Sequence, residues 1–91
     1  MASLELASKA AGLLDRGRPD EAIRVLERAL GLNPESARAY YQMARAWKQK
    51  GDFSQALEYN RMAAMYPAGD REWAEKIRDQ RRRILERKGA D

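Results

Sequence analysis

Histidine and cysteine are both absent from this chain of 91 residues, and their absence narrows the chemistry available to it. Without cysteine the chain forms no disulfide and offers no thiolate ligand to a metal. Without histidine it lacks the side chain that most often serves as general base and metal ligand. The six glycines are isolated rather than grouped in a phosphate-binding loop. We therefore expect no enzymatic activity, no cofactor and no metal.

Long apolar runs are also missing, and none approaches the roughly 20 residues that a membrane-spanning helix needs. The first nine residues do not have the layout of a signal peptide. These features favour the cytoplasm, and the periplasm is the alternative if a leader was removed, since a chain without cysteine suits either compartment. The length is that of a single domain.

Aromatic residues are absent from the first part of the chain and all lie between Tyr40 and Trp73. The net charge of +4 is uneven as well: −1 over residues 1–35, +3 over 36–69 and +2 over 70–91. Surfaces that bind other proteins often combine aromatic and basic side chains, so the middle third is the first place to look for a binding surface.

The sequence repeats itself weakly at a spacing of 34 residues. The identities at this shift are all small residues: Ala10 with Ala44, Gly17 with Gly51, Ala22 with Ala56, and Ala29 with Ala63. Small side chains allow two helices to cross closely, and glycine accepts the left-handed backbone that ends a helix. Each repeat is therefore predicted to be a hairpin of two helices.

This pattern resembles the tetratricopeptide repeat, a helix-turn-helix unit of 34 residues. The residues that carry the resemblance are Leu6, Ala10, Leu13, Gly17, Ala22, Leu26, Ala29 and Pro34 in the first copy, and Tyr40, Met43, Ala44, Trp47, Gly51, Ala56 and Ala63 in the second. Lys9 and Asn60 depart from it at places that are usually apolar, and Pro67 comes one residue early. The resemblance implies an all-α fold: two antiparallel helix hairpins and a C-terminal capping helix, forming a short right-handed α-solenoid.

The helices are predicted from the repeat and from its glycine, proline and capping residues. They cover about 3–16, 19–31, 34–50, 53–66 and 70–88. We expect one domain over 1–91, with repeat one at about 3–36, repeat two at about 37–69 and the capping helix at about 70–88. Pro19 and Pro34 fit the first turn of a helix, where proline's missing N–H costs nothing. Asn33, Asp52 and Asp70 are candidate N-caps.

In the resembled family, the first helix of each hairpin lines a concave surface that takes an extended peptide or a partner's helix. On helix 34–50 this assigns one stripe of residues to the groove: Arg38, Tyr41, Gln42, Arg45, Lys48 and Gln49. Three bases and a tyrosine on this stripe favour an acidic protein or peptide as partner. The alternative is an ordinary solvated helix face.

The corresponding stripe on the first helix is apolar and consists of Leu4, Ala7, Ala11 and Leu14, with Ser8 and Asp15 beside them. An exposed apolar stripe usually has something covering it. A ligand's apolar side chains, a second copy of the chain in a homo-oligomer, or another segment of a longer protein would each cover it, and mild exposure of small residues is the remaining explanation. Self-assembly through this helix is the alternative function.

Nucleic acid is a less favoured partner. The run Arg81-Arg82-Arg83 and a pI near 9.7 suggest it. However, acidic residues interleave with these bases, and three consecutive residues on a helix point in three directions. The sequence thus favours a protein-interaction scaffold.

Overall fold

The computed structural model describes residues 2–90, with side chains up to Gly89, and every regular element among them is a helix. The five helices are α1 (Ala2–Asp15), α2 (Pro19–Leu32), α3 (Ala37–Gln49), α4 (Phe53–Met65) and α5 (Arg71–Ala90). Helices α1 and α2 form one hairpin, α3 and α4 form the second, and α5 packs on the second hairpin. The all-α architecture predicted from the sequence is confirmed.

The turn inside each hairpin is built in the same way, 34 residues apart. In the first, Gly17 has a φ of 72° and its N–H donates to the Leu14 carbonyl at 3.0 Å, while the Arg18 N–H reaches the Leu13 carbonyl at 2.9 Å. In the second, Gly51 has a φ of 85°, and the equivalent bonds to the Lys48 and Trp47 carbonyls are both 2.9 Å. Glycine is required at these positions because other residues adopt a positive φ only at a cost.

The helix starts predicted from the sequence are confirmed at three places. Pro19 opens α2, and the carboxylates of Asp52 and Asp70 accept hydrogen bonds from the N–H groups of Gln55 and Trp73, at 3.0 and 2.9 Å.

The expected start of the third helix at Pro34 is wrong. Helix α3 begins at Ala37, where the Ser36 hydroxyl accepts the Ala39 N–H at 3.1 Å. Asn33 lies in an extended conformation, as residues before proline generally do, and its side chain accepts the Glu35 N–H. Its carbonyl in turn accepts the Ser36 N–H, so residues 33–36 form a turn rather than a first helical turn.

Small residues form the centre of both hairpins. Ala10, Ala22, Ala44 and Ala56 are all fully buried, which lets the helix backbones approach closely. Larger apolar side chains fill the space between successive layers: Leu13, Leu14, Leu26 and Met43 between the first hairpin and α3, and Ile77 and Ile84 between the second hairpin and α5.

A buried amide network fixes the position of α5. Asn60 of α4 is 1% exposed, and its Nδ2 donates to the Ile77 carbonyl at 2.9 Å and to Gln80 Oε1 at 2.8 Å. Gln80 Nε2 in turn donates to the Tyr41 carbonyl at 2.9 Å. Both bonds of Asn60 use its Nδ2 group, while its Oδ1 is buried without a partner among the described residues. Because buried donors need their acceptors in place, the donor side of this network specifies one register of α5 against α3 and α4. The departure from the repeat pattern at Asn60 therefore has a structural role.

Candidate functional site

A continuous groove runs along α3, between α1 on one side and α5 on the other. It consists of three adjoining cavities of 370, 320 and 400 Å³, and Arg45 lines all three. We call them the first, second and third cavities. Tyr41 and Lys76 line the first and second, and Lys48 lines the second and third.

All six residues of the predicted stripe on α3 line this groove. Arg38, Tyr41, Gln42 and Arg45 line the first cavity, Lys48 the second and third, and Gln49 the third. Two of them have structural partners: Gln42 accepts a hydrogen bond from Arg45 Nη1 at 3.1 Å, and Gln49 Nε2 donates to the Leu14 carbonyl at 3.0 Å. The two amides thus orient the arginine and hold α1 against α3.

Both arginines that α3 contributes to the groove are paired with carboxylates at its edges. Arg45 Nη2 lies 2.7 Å from Asp15 Oδ1 at the end of α1, and Arg38 Nη2 lies 3.8 Å from Asp70 Oδ2 before α5. Asp15 is 71% exposed. Exposed ion pairs contribute little to stability, so these guanidinium groups can exchange their carboxylates for those of a ligand at small cost.

The first cavity has an aromatic end. The rings of Tyr41 and Trp73 meet edge to face with centroids 5.3 Å apart. The Arg38 guanidinium and the Lys76 ammonium lie 4.9 and 4.8 Å from the Trp73 ring centroid. Cations over an indole ring are held in place by its quadrupole, which leaves their other N–H groups to face the groove.

Lys48 has a different environment, because no carboxylate lies within ion-pairing distance of it among residues 2–90. Partial burial lowers the pKa of Lys48 below its ordinary value, and the like charges of Arg83 and Arg87 on α5 lower it further, while Glu86 acts in the opposite direction. The ammonium group is therefore held where positive charge is disfavoured.

Sequence reasoning did not assign α5 to the site, although this helix forms one wall of the groove. Its contributions are Trp73, Lys76, Asp79, Gln80, Arg83 and Arg87. Extending the spacing of 34 residues by one step would have found three of them, since Lys76 corresponds to Gln42, Asp79 to Arg45 and Arg83 to Gln49.

The expectation of a continuous exposed apolar stripe on α1 is wrong. Leu14 is 2% exposed and belongs to the same buried cluster as Met43 and Ala46 of α3. Ala7 is 5% exposed, Ala11 is half-buried, and Leu4 at 40% is the most exposed of the four. The projection treated α1 alone, whereas α3 covers its C-terminal half. Leu4, Ala7 and Ala11 instead form an apolar wall of the first cavity.

Within the part of the chain that the structure describes, no three acidic side chains gather in a way that could hold a metal ion. None of the helices found there is both long enough and apolar enough to cross a membrane.

Comparison with known families gives a result that agrees with this architecture. The model of the tetratricopeptide repeat family matches residues 13–78, which is more than two thirds of the chain. No curated protein matches the sequence significantly. Tetratricopeptide domains are typically non-catalytic scaffolds that mediate interactions between proteins. The five helices, the repeated turn and the family match together show that this chain belongs to the tetratricopeptide repeat family.

Proposed function

We propose that the groove along α3 binds an acidic segment of a partner protein in an extended or helical conformation. The observation that carries this proposal is the imbalance of charge in its lining. Among the described residues, six bases line the three cavities, namely Arg38, Arg45, Lys48, Lys76, Arg83 and Arg87, against one acid, Asp79. Complementary charge steers the encounter of partners and fixes the register in which they bind.

The lining also supports a preference for apolar side chains next to the acidic ones. The first cavity places the apolar wall of Leu4, Ala7 and Ala11 beside the rings of Tyr41 and Trp73. A large apolar side chain of the ligand would lose its hydration there, while acidic neighbours would meet Arg38 and Arg45. Since packed helices hold the backbone of the lining, the groove itself loses little backbone conformational entropy on binding.

Peptide binding with matched charge variants tests this function. The probes are a fluorescein-labelled decapeptide pool containing only Glu and Leu, and a twin pool with Gln in place of Glu. We expect saturable fluorescence anisotropy with the acidic pool, weaker binding at high salt, and little binding of the twin. The variant is Arg38→Glu/Arg45→Glu/Lys48→Glu, which should abolish the signal.

The control carries the same change of charge at exposed positions outside the groove. Arg24, Arg28 and Arg61 are exposed on α2 and α4 and line none of the three cavities. Replacing all three with Glu should weaken binding only slightly, through the net charge. Equal loss in both triple variants would show that general charge attraction, and not the groove, binds the peptide.

Self-assembly through α1 has less support, because burial of Leu14 and Ala7 removes most of the apolar surface on which it depended. Light scattering over a wide range of protein concentration would measure it, and Leu4→Glu should dissociate any oligomer that uses the remaining surface.

A further inference from the structure

The two repeats treat one equivalent position in opposite ways. Lys48 corresponds to Leu14 at the shift of 34 residues. Leu14 is 2% exposed in the core between α1 and α3, whereas Lys48 borders two cavities between α3 and α5. In repeat one this position fills the space between α1 and α3 with an apolar side chain. In repeat two the same position carries a charged side chain beside cavities that separate α3 from α5.

The residues that α5 brings to this opening increase the charge rather than neutralise it. Arg83 lines the second cavity together with Lys48, and Arg87 lines the third together with Lys48. Two acids of α5 lie nearby, since Asp79 also lines the second cavity and Glu86 acts on the pKa of Lys48. The ion pairs that they form are with Arg82, at 3.6 and 3.9 Å. Arg83, like Lys48, has no carboxylate within ion-pairing distance among the described residues.

The cluster is also partly oriented before any ligand arrives. The Arg87 guanidinium lies 5.4 Å from the ring centroid of Phe53, which borders the third cavity. Lys48 is half-buried, and this burial, together with the charges of Arg83 and Arg87, lowers its pKa. An anion bound beside these side chains would offset the repulsion between their like charges. Relief of this repulsion would favour binding.

We propose that Lys48, Arg83 and Arg87 form a subsite for a phosphomonoester carried by the segment that binds in the groove. Lys48 shares one cavity with Arg83 and the adjoining one with Arg87, and none of the three has a carboxylate within ion-pairing distance among the described residues. Such a set of bases suits a group of charge near −2 with three acceptor oxygens better than a single carboxylate. The arginines supply paired N–H donors and the lysine a point charge. This inference rests on the proposed function, because the phosphate is assigned to the groove's ligand, and it narrows that ligand to a phosphorylated acidic peptide.

Two measurements test it, and the first does not depend on any peptide. Inorganic phosphate is titrated into 15N-labelled protein at constant ionic strength, with chloride as reference. We expect saturable shifts at Lys48, Arg83 and Arg87, lost in Lys48→Gln and retained in Arg78→Gln, a control for an exposed base of α5 that borders none of the cavities. Small, linear shifts spread over the surface would overturn the subsite.

The second measurement compares three decapeptides of one acidic framework with serine, glutamate or phosphoserine at the central position. We expect the phosphoserine peptide to bind about tenfold more tightly than the glutamate peptide, as one additional charge-assisted contact gives. Lys48→Gln should reduce this ratio to near one, and Lys48→Arg should preserve most of it. Since the variant removes a disfavoured charge, we expect it to fold.

The outcomes separate this inference from the proposed function. Binding of all three peptides with equal affinity would overturn the phosphate subsite and leave the acidic groove intact. Binding of none, together with saturable phosphate shifts, would support an anion site at Lys48 and refute the peptide groove.

Discussion

The two repeats share their turns and their small buried residues, but they differ in what their first helices present to the groove. Repeat one offers small or apolar side chains at Leu4, Ala7 and Ala11, whereas the equivalent positions of repeat two are Arg38, Tyr41 and Arg45. The positions that hold the hairpins together are thus repeated, and the positions that face the groove are not. A common scaffold can carry different chemistry on its two halves because the two sets of positions barely overlap.

The interiors differ at one further pair, Leu26 and Asn60, which are also 34 residues apart. Both are fully buried, at 0% and 1% exposure. Leu26 packs in an apolar cluster, while Asn60 donates to Ile77 and Gln80 of α5. Apolar packing tolerates small shifts, but a pair of hydrogen bonds requires one register. The helix that completes the groove is therefore positioned by polar contacts that the first repeat does not use.

The largest effect on the free energy of unfolding is expected from substitutions at Leu26 and Asn60. Leu26→Ala should lower the free energy of unfolding by about 2–5 kcal/mol, because it leaves a cavity in a close-packed cluster. Asn60→Leu should cost about 1–3 kcal/mol, since Gln80 Oε1 loses its buried donor. Urea denaturation followed by far-UV circular dichroism measures both.

The variant pair Asn60→Leu and Gln80→Leu sharpens this prediction. If the two amides act as one network, the double variant should cost less than the sum of the single variants. Strict additivity would show that the two side chains contribute independently. If Asn60→Leu stabilised the protein, the hydrogen bonds of Asn60 would not be needed to position α5.

An intermediate and equal effect is expected at the two turns. Gly17→Ala and Gly51→Ala should each lower stability by about 1–2 kcal/mol, because alanine must adopt a positive φ at either site. A Cβ would meet nothing within 4 Å at either glycine, so the cost arises from the backbone alone. Thermal melts of the two variants should therefore agree, and a clear difference would show that the turns are not equivalent.

The smallest effect is expected at Lys48. Lys48→Met makes this position resemble Leu14 and should raise stability by less than about 1 kcal/mol, since the side chain is only partly buried. The folded-state pKa of Lys48 is lowered, so the native state binds the proton less well than the unfolded state does. The advantage of Lys48→Met should hold at neutral pH and shrink as the pH rises toward 10.5. A difference that is independent of pH would contradict this account of Lys48.

Local features of the fold could be read from the sequence, and features that depend on neighbouring helices could not. Gly17, Gly51, Asp52 and Asp70 act within a few residues of their own positions, and their predicted roles are confirmed. The exposure of Leu14 was predicted wrongly because a single-helix projection does not include α3.

The start of α3 was misplaced for a different reason. Two cap signals compete there within four residues, and the turn around Asn33 leaves Ser36 as the cap. The stripe on α3 was predicted from the concave surface that the family resemblance implies and from the spacing of one helix, while the wall from α5 required knowledge of how two helices pack.

The aromatic residues have a consequence for anyone who studies this protein by spectroscopy. Trp47 and Trp73, with the tyrosines near them, all belong to the second repeat or to α5, and α1 and α2 contain none. Intrinsic fluorescence and near-ultraviolet dichroism will therefore report directly on one half of the molecule, and melting of the first repeat will register only through its contacts with aromatic residues such as Tyr59 and Trp73. Trp73 borders the groove beside two cations, so its emission is a built-in reporter of what binds there.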